Sequence, residues 1–273
     1  MAGPPIYNVF IIEVNYMKKQ FEGKVAFVTG GASGMGKATV CELVNRGAKV
    51  IFADLNDSKA QKVVDECREM GGEVDYKNCD ITVHSNLIQL FQYIREKYGK
   101  LDFAANVAGS GIPSTRIDET SDAEIDMMID LNLKALIYCM IEEIKLMREQ
   151  HFGRIVNIAS GAANIGTPGM SVLAASKAGV VGVTKNACFD VVRDGITINS
   201  ISPGSTETEL VQSIKYTHSE EYQSYCNNTP MGRFGMPKEI AHGICFFFEP
   251  ESAFITGVNL PIDGGFCAGK MER

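Results

Sequence analysis

The chain has 273 residues, of which 45% are hydrophobic and 22% charged, and its net charge is −7 at neutral pH. This length predicts one large α/β domain or two small ones, and the acidic balance argues against general binding to nucleic acid or acidic lipid. The chain begins without the pattern of a secretory signal, and no stretch approaches the ~20 apolar residues of a membrane span, so we expect a cytoplasmic protein.

The eight cysteines are scattered along the chain, with no CxxC pair and no histidine at metal-ligand spacing. A domain of this size does not need a disulfide framework. We therefore expect reduced thiols and no metal site.

Buried strands alternate with amphipathic helices from Lys24 onward, and parallel strands need such crossovers. The pattern predicts strands over 24–29, 49–54, 73–80, 101–109, 153–160, 195–202 and 257–265. It predicts helices after Gly36, over 58–70, around 87–94, from Ser121 or Asp122 to about Gln150, and over about 171–193 and 237–248.

This alternation predicts a single doubly wound Rossmann-type domain over residues 21–273. Residues 1–20 are interpreted as an N-terminal arm packed on that domain. The stretch at about 205–235 has weak periodicity and several Tyr, Ser and Glu residues, which is typical of a mobile lid.

A glycine turn, TGGASGMG at 29–36, follows the first buried strand and opens the first helix. Gly30, Gly34 and Gly36 have the spacing GxxxGxG, which lets the backbone approach a pyrophosphate at a helix N-terminus. Ser33 and Met35, between these glycines, are expected to contact the cofactor as well. The context of strand, turn and helix indicates a dinucleotide site.

Asp54 ends the second strand, 18 residues after Gly36. A carboxylate there accepts from the adenosine ribose hydroxyls and repels a 2′-phosphate, so the sequence predicts NAD(H) in preference to NADP(H). No Lys or Arg lies within the glycine turn or directly after Asp54. The alternative for Asp54 is a helix N-cap. Leu55, directly after Asp54, is also expected to contact the cofactor. Asp80 and Ile81, after the third strand, are expected beside the adenine, although Asp80 alone also suits a turn.

Taken together, these motifs resemble the short-chain dehydrogenase/reductase family over roughly residues 22–266. Asn106-Val107-Ala108-Gly109 is similar to its NNAG element, with the second Asn replaced by Val. Asn132, Ser160 and Lys177 match its asparagine, serine and lysine. The segment from Ser202-Pro203-Gly204 through Thr206 to Thr208 resembles its nicotinamide-side motif, and Asp263-Gly264-Gly265 its closing strand end.

The resemblance implies a seven-stranded parallel sheet and hydride exchange between a nicotinamide and a secondary alcohol or ketone, with a hydroxysteroid or another small carbonyl compound as substrate. It also implies cofactor contacts from Asn106, Ala108, Gly109, Lys177, Pro203, Gly204, Thr206 and Thr208. Homodimers or homotetramers built on the helices at about 122–150 and 171–193 are implied in the same way.

Leu173 departs from the family pattern, because the family places a tyrosine four residues before its lysine. Ser160 precedes Leu173 by thirteen residues, as in the family, and no tyrosine lies between Tyr138 and Tyr216, so a register shift does not restore the motif. In the family the tyrosine donates the proton, and general acid–base catalysis contributes about 10²–10⁴ in rate. Turnover is therefore expected to be heavily impaired.

Three interpretations of Leu173 remain open at this point. Leu173 is an inactivating replacement in an ordinary enzyme, or a natural variant whose proton comes from water or from Tyr216, Tyr222 or Tyr225. Alternatively, the chain is a redox-silent NAD-binding protein that acts through a ligand or partner. Non-redox chemistry on the same fold, such as isomerisation or dehydration, is a further hypothesis.

Overall fold

The computed structural model describes residues 20–111, 114–208, 211 and 219–269. Its seven strands form one all-parallel sheet in the order β3-β2-β1-β4-β5-β6-β7. The strands are β1 (Val25–Thr29), β2 (Lys49–Asp54), β3 (Val74–Asn78), β4 (Phe103–Asn106), β5 (Gly153–Ile158), β6 (Ile196–Pro203) and β7 (Asn259–Ile262). The order reverses between β1 and β4, which is where doubly wound sheets open a crevice at their carboxyl ends. The predicted fold class is confirmed.

Helices cover both faces of the sheet. They are α1 (Gly34–Asn45), α2 (Asp57–Glu69), α3 (His84–Tyr98), α4 (Asp122–Ile129), α5 (Ala135–Glu149), α6 (Ser171–Val191), α7 (Ser219–Asn228) and α8 (Pro237–Phe248). Alternate residues of β1 enter two separate cores. Ala26 and Val28 pack on one face with α1, α2 and α8. Val25 and Phe27 pack on the other face with α3, α5 and α6. This two-sided burial explains why the central strands are apolar without alternation.

The helix predicted from Ser121 or Asp122 to about Gln150 is interrupted. Of the two predicted starts, Ser121 is the residue that caps α4, in a capping box with Glu124. A π-helical segment, Asp130–Lys134, then separates α4 from α5. Such a π-bulge is common at functional sites, and this one carries the fully buried Asn132.

Several predicted strands are shorter in the structure, because their last residues turn into the loops at the carboxyl edge. The prediction of 101–109 becomes Phe103–Asn106, and that of 257–265 becomes Asn259–Ile262. Helix α7 within the 205–235 stretch was not predicted. The predicted arm lies almost entirely outside the described residues, which begin at Gln20. None of the described helices combines the length and apolar character needed to cross a bilayer.

Candidate active site

A cleft of about 440 Å³ opens at the carboxyl ends of the strands around β1. Twelve of the seventeen residues predicted to bind the cofactor line it, namely Gly30, Ser33, Gly34, Met35, Gly36, Asp54, Leu55, Asp80, Ile81, Ala108, Gly109 and Thr208. The folded chain thus brings together segments that are far apart in the sequence.

The glycine turn forms one wall of this cleft. A Cβ on Gly36 would lie 1.9 Å from the carbonyl oxygen of Gly30, so only glycine allows α1 to start against the turn. Ser33 is the N-cap residue of α1, and its hydroxyl makes no cap hydrogen bond to the helix. The first amides of α1 have no partner within the helix, so they and the helix dipole favour a phosphate at this position.

Asp54 stands at the end of the cleft where β2 finishes. Its two carboxylate oxygens accept hydrogen bonds at 3.0 Å from the backbone amides of Ala32 and Asn56, respectively. The alternative that Asp54 is a helix N-cap is wrong, because Asn56 caps α2 by accepting from the Lys59 amide. Asp54 is therefore held at the lip of the cleft, tied to the glycine turn.

Lys59, which the sequence analysis overlooked, also lines this end of the cleft. It lies in the first turn of α2, five residues after Asp54, and is half-buried. The signal was present, since the first turn of a helix that follows a strand lies at the same sheet edge as the strand's last residue. Further along, Asp80 accepts from both the amide and the hydroxyl of Thr82, so it holds a turn as well as lining the cleft.

Five predicted cofactor residues, Asn106, Lys177, Pro203, Gly204 and Thr206, do not line this cleft. The Asn106 side chain is buried and donates to Glu143 and Asn157. Pro203 ends β6, a Cβ on Gly204 would lie 2.8 Å from the Cα of Asp263, and Thr206 donates to the Gly204 carbonyl at 3.0 Å. These last three residues form the strand end that faces the closing turn after β7.

Lys177 and Asn132 meet beside Gly109, at the other end of the cleft from Asp54. A Cβ on Gly109 would lie 2.8 Å from Oδ1 of Asn132 and 3.2 Å from Nζ of Lys177. Asn132 is fixed by two hydrogen bonds of 2.9 Å, one in each direction, with the backbone of Ser110. Lys177 donates to the Ile158 carbonyl at 2.8 Å and is only 6% exposed, and this burial lowers its pKa to about 8.

Ser160 and Leu173 complete the set predicted for catalysis. Ser160 follows β5 by two residues, is half-buried, and its hydroxyl accepts from the Ala162 amide at 3.2 Å. Leu173 is half-buried on α6, one turn before Lys177 and on the same side of the helix. The position that would carry the proton donor is thus occupied by an aliphatic side chain.

A buried polar network lies behind the site. Asn106 on β4 donates to Oε2 of Glu143 at 3.1 Å and to Oδ1 of Asn157 at 3.0 Å, and Asn157 donates to the Thr184 hydroxyl. Burial raises the pKa of Glu143 to about 8, so this carboxyl is largely protonated at neutral pH. The network links α5, two central strands and α6 without reaching the cleft.

The enoyl-(acyl carrier protein) reductase family matches residues 30–267, which is most of the chain. The chain belongs to the short-chain dehydrogenase/reductase family. The 3-oxoacyl-[acyl-carrier-protein] reductase FabG of Thermotoga maritima is 32% identical over 90% of this chain and 98% of its own. The 3beta-hydroxysteroid dehydrogenase of Mediterraneibacter gnavus is 33% identical over 92% and 97%.

A crystal structure of a variant of the actinorhodin polyketide ketoreductase with NADPH superposes on this dehydrogenase/reductase chain with a TM-score of 0.86. It has 30% sequence identity and covers 93% of this chain and 100% of its own. The family fold and an SDR-type oxidoreductase scaffold acting on alcohols or ketones are therefore shown.

The loops after β4, β5 and β6 and the turn after β7 follow the carboxyl ends of these strands. The loops after β4 and β5 contact each other, since Thr115 donates to the Gly169 carbonyl. The turn after β7 packs on the loop after β5, where the Cys267 thiol contacts the Gly161 carbonyl at 3.7 Å. Of the loop after β6, residues 209–210 and 212–218 lie outside the described residues, including His218 and Tyr216.

Proposed function

We propose that the protein is an NAD(H)-dependent oxidoreductase that acts on a secondary alcohol or its ketone. The observation that carries the proposal is the single cleft that joins the glycine turn and Asp54 to Gly109, with Asn132 and Lys177 behind Gly109. A Cβ on Gly36 would lie 1.9 Å from the Gly30 carbonyl oxygen, so the turn is as tight as a dinucleotide-binding turn requires. When bound, a nicotinamide would supply or accept the hydride, and residues of the chain would bind the cofactor and orient the substrate oxygen.

NAD is proposed over NADP because the 2′-phosphate of NADP carries about two negative charges. The Asp54 carboxylate would repel these charges. Asp54 is already oriented by the amides of Ala32 and Asn56, which leaves carboxylate lone pairs for the ribose hydroxyls. Two observations favour NADP instead: Lys59 lines the same cleft, and a structural relative holds NADPH.

The site residues are assigned by what each can donate or hold. The Ser160 hydroxyl is assigned to bind the substrate oxygen and to stabilise the charge that develops on it. The Lys177 ammonium, buried beside Gly109, is assigned to hold the nicotinamide ribose. Asn132 is hydrogen-bonded to the backbone of Ser110 and so holds the loop after β4. The resemblance to the family implies that Asn132 also anchors a water that connects Lys177 to solvent.

Leu173 removes the usual proton donor, so we propose slow turnover rather than a different cofactor chemistry. Leucine donates no proton, and general acid–base catalysis is commonly worth about 10²–10⁴ in rate. The proton then comes from water or from a tyrosine in the 205–230 stretch. Tyr222 stacks on Phe234, with ring centroids 4.6 Å apart; Tyr216 and the Tyr225 side chain lie outside what the structure describes.

The second candidate is a redox-silent NAD-binding protein, and Leu173 is the observation that favours it. A scaffold that only binds has no chemical need for Ser160 or for a buried lysine, and a buried charge is costly to keep. Their retention supports the oxidoreductase.

The test compares the wild-type chain with Leu173→Tyr and, as a matched control, Leu173→Phe. NADH fluorescence measures binding, and NADH consumption is followed with cyclohexanone, a 3-ketosteroid and a 3-ketoacyl thioester. We expect all three proteins to bind NADH, and Leu173→Tyr to turn over at least about tenfold faster than both others. Equal rates for Leu173→Tyr and Leu173→Phe, with NADH binding intact, would favour the silent protein.

We also propose a homodimer or homotetramer built on α4, α5 and α6. Exposed apolar side chains on these helices support it, including Ile125, Met127, Ile141 and Phe189, the last 80% exposed. Sedimentation equilibrium tests the proposal; a monomer at micromolar concentration would overturn it.

A further inference from the structure

Arg154, the second residue of β5, carries a buried guanidinium whose charge is not balanced by an acid. Its side chain is only 7% exposed, and within the described part of the chain no carboxylate forms an ion pair with it. Burial lowers its pKa, since the charged form has lost water. A buried cation that lacks a counter-charge is costly to keep, so the surroundings of Arg154 call for an explanation.

The guanidinium extends toward the start of β6. Its Nη1 donates to the Gly153 carbonyl at 2.8 Å and to the Gly195 carbonyl, just before β6, at 3.0 Å. The guanidinium carbon lies 4.5 Å from the centre of the Phe152 ring, a cation–π contact. These contacts fix the position of the group. The Nε–H is buried, and it has no hydrogen-bond partner among the described residues.

Thr197 provides a second polar group of the same kind. It is the register partner of Arg154 across β5 and β6, so the two side chains project from the same face of the sheet on neighbouring strands. Thr197 is 6% exposed, and its buried hydroxyl likewise finds no partner in the described ranges. A buried N–H and a buried O–H at adjacent positions suit one small acceptor between them.

The local charge favours an anion as that acceptor. Lys24 lies 4.2 Å from the centre of the Phe152 ring, which the Arg154 guanidinium also contacts, so a second cation approaches this point. Lys24 and Lys100 both pair with Asp102, at 3.0 and 2.9 Å. One carboxylate therefore serves two ammonium groups and does not neutralise the guanidinium as well. These four charged side chains together carry an excess of positive charge.

We propose that Arg154 and Thr197 bind one small monovalent anion, with chloride as the reference ligand, at the amino ends of β5 and β6. The Nε–H and the hydroxyl are its hydrogen-bond donors, and the guanidinium supplies the opposite charge. The site lies at the other end of the strands from the cofactor cleft and shares no residue with it. It is independent of the proposed oxidoreductase activity, and it stabilises the native state because unfolding separates the donors.

The experiment measures thermal unfolding of the whole chain at neutral pH while sodium chloride replaces sodium gluconate at constant ionic strength. We expect the melting temperature to rise and then saturate, by at least about 2 °C between about 1 mM and about 200 mM chloride. Arg154→Met should abolish this rise. Thr197→Val, which keeps the charge and removes the hydroxyl, should need about tenfold more chloride for half of it.

Arg148→Met is the matched control, because it removes an exposed arginine that already pairs with Asp194. It should keep the full rise, so that the difference between the two methionine variants cancels any general effect of the salt. Circular dichroism checks that each variant is folded.

A second measurement applies to the unmodified protein and does not depend on the stability of any variant. Crystals of the whole chain are grown in sodium bromide, whose anomalous signal locates bound ions. We expect a bromide in contact with both Nε of Arg154 and Oγ1 of Thr197. The proposal is overturned if a water occupies this position, if bromide binds only elsewhere as an adventitious ion only, or if Arg154→Met responds to chloride as the wild type does.

Discussion

Asp54 accepts a hydrogen bond from the backbone amide of Ala32 at 3.0 Å, so the acid that ends β2 is bonded to the glycine turn that follows β1. The residue that we propose to contact the ribose is thus positioned by the same turn that we propose to hold the pyrophosphate. A change at either position is expected to affect binding at the other.

Asp54→Asn is expected to weaken NAD binding about tenfold. The variant is also expected to show a smaller difference in affinity between NAD and NADP. The variant keeps the shape of the side chain but loses charge-assisted hydrogen bonds, which are worth about 1.5–3 kcal/mol. Isothermal titration with both nucleotides measures the change. Asp57→Asn is the matched control, because Asp57 is exposed, bonds to Tyr76 and Asn78, and does not line the cleft. An unaltered NAD affinity in Asp54→Asn would contradict the assignment of Asp54.

Gly109→Ala is expected to disturb the far end of the cleft, because its Cβ would fall 2.8 Å from Asn132, which two hydrogen bonds hold in place. Overpacking of this kind costs about 1–3 kcal/mol, so thermal unfolding should occur several degrees lower and NADH binding should weaken. Gly111→Ala, two residues away with no atom within 4 Å of the new Cβ, should behave like the wild type. Equal melting temperatures for the two variants would refute the close packing at Gly109.

NADH affinity should fall as the pH rises through about 8, the pKa that burial gives Lys177. Below that pH the ammonium is charged and binds the ribose strongly; above it the neutral amine binds more weakly, by several-fold between pH 7 and pH 9. Fluorescence titrations across this range measure the effect. Lys177→Arg, which stays protonated, should flatten the profile, and a wild-type affinity that is constant from pH 7 to 9 would count against Lys177 as the ribose ligand.

Glu143→Gln should stabilise the protein in a pH-dependent way. Burial raises the folded-state pKa of Glu143 to about 8 from its ordinary 4.5, so the native state holds the proton more tightly than the unfolded chain. The contribution of this proton to the free energy of unfolding is fully present below about pH 4.5 and is lost as the pH rises through about 8. The difference in free energy of unfolding between the variant and the wild type should therefore shift in favour of the variant by about 2–4 kcal/mol from pH 5 to pH 8.5.

Denaturant unfolding at the two pH values measures this gain. Glu149→Gln, an exposed change on the same helix, should show a difference of less than about 0.5 kcal/mol at either pH. A Glu143→Gln variant that is no more stable than the wild type at pH 8.5 would mean that the carboxyl is ionised and compensated.

The sequence was sufficient to predict the fold and most of the cleft, because the periodicity of apolar residues and the residue types of turns are local signals. All seven strands, the glycine turn and Asp54 were found in this way. Asn106 was assigned to the cofactor by resemblance, yet its side chain bonds to Glu143 and Asn157 in the interior. A strand end carries side chains on both faces, and only the packed structure shows which face each one takes.

Lys59 and Asn132 illustrate the remaining gap. Lys59 was not predicted because it follows Asp54 by five residues, although the first turn of α2 returns to the same edge of the sheet. Asn132 was identified, but not the π segment that bears it, since a one-residue insertion leaves the apolar stripe of a helix nearly unchanged. Contacts of this kind depend on tertiary packing rather than on periodicity.

Calorimetric titration of the wild-type chain with NAD and with NADP, under the same conditions, tests the proposed cofactor preference. We expect a measurable heat and a dissociation constant for NAD at least about tenfold lower than that for NADP, since Asp54 would repel the added phosphate. The absence of heat with either nucleotide, or tighter binding of NADP, would contradict it.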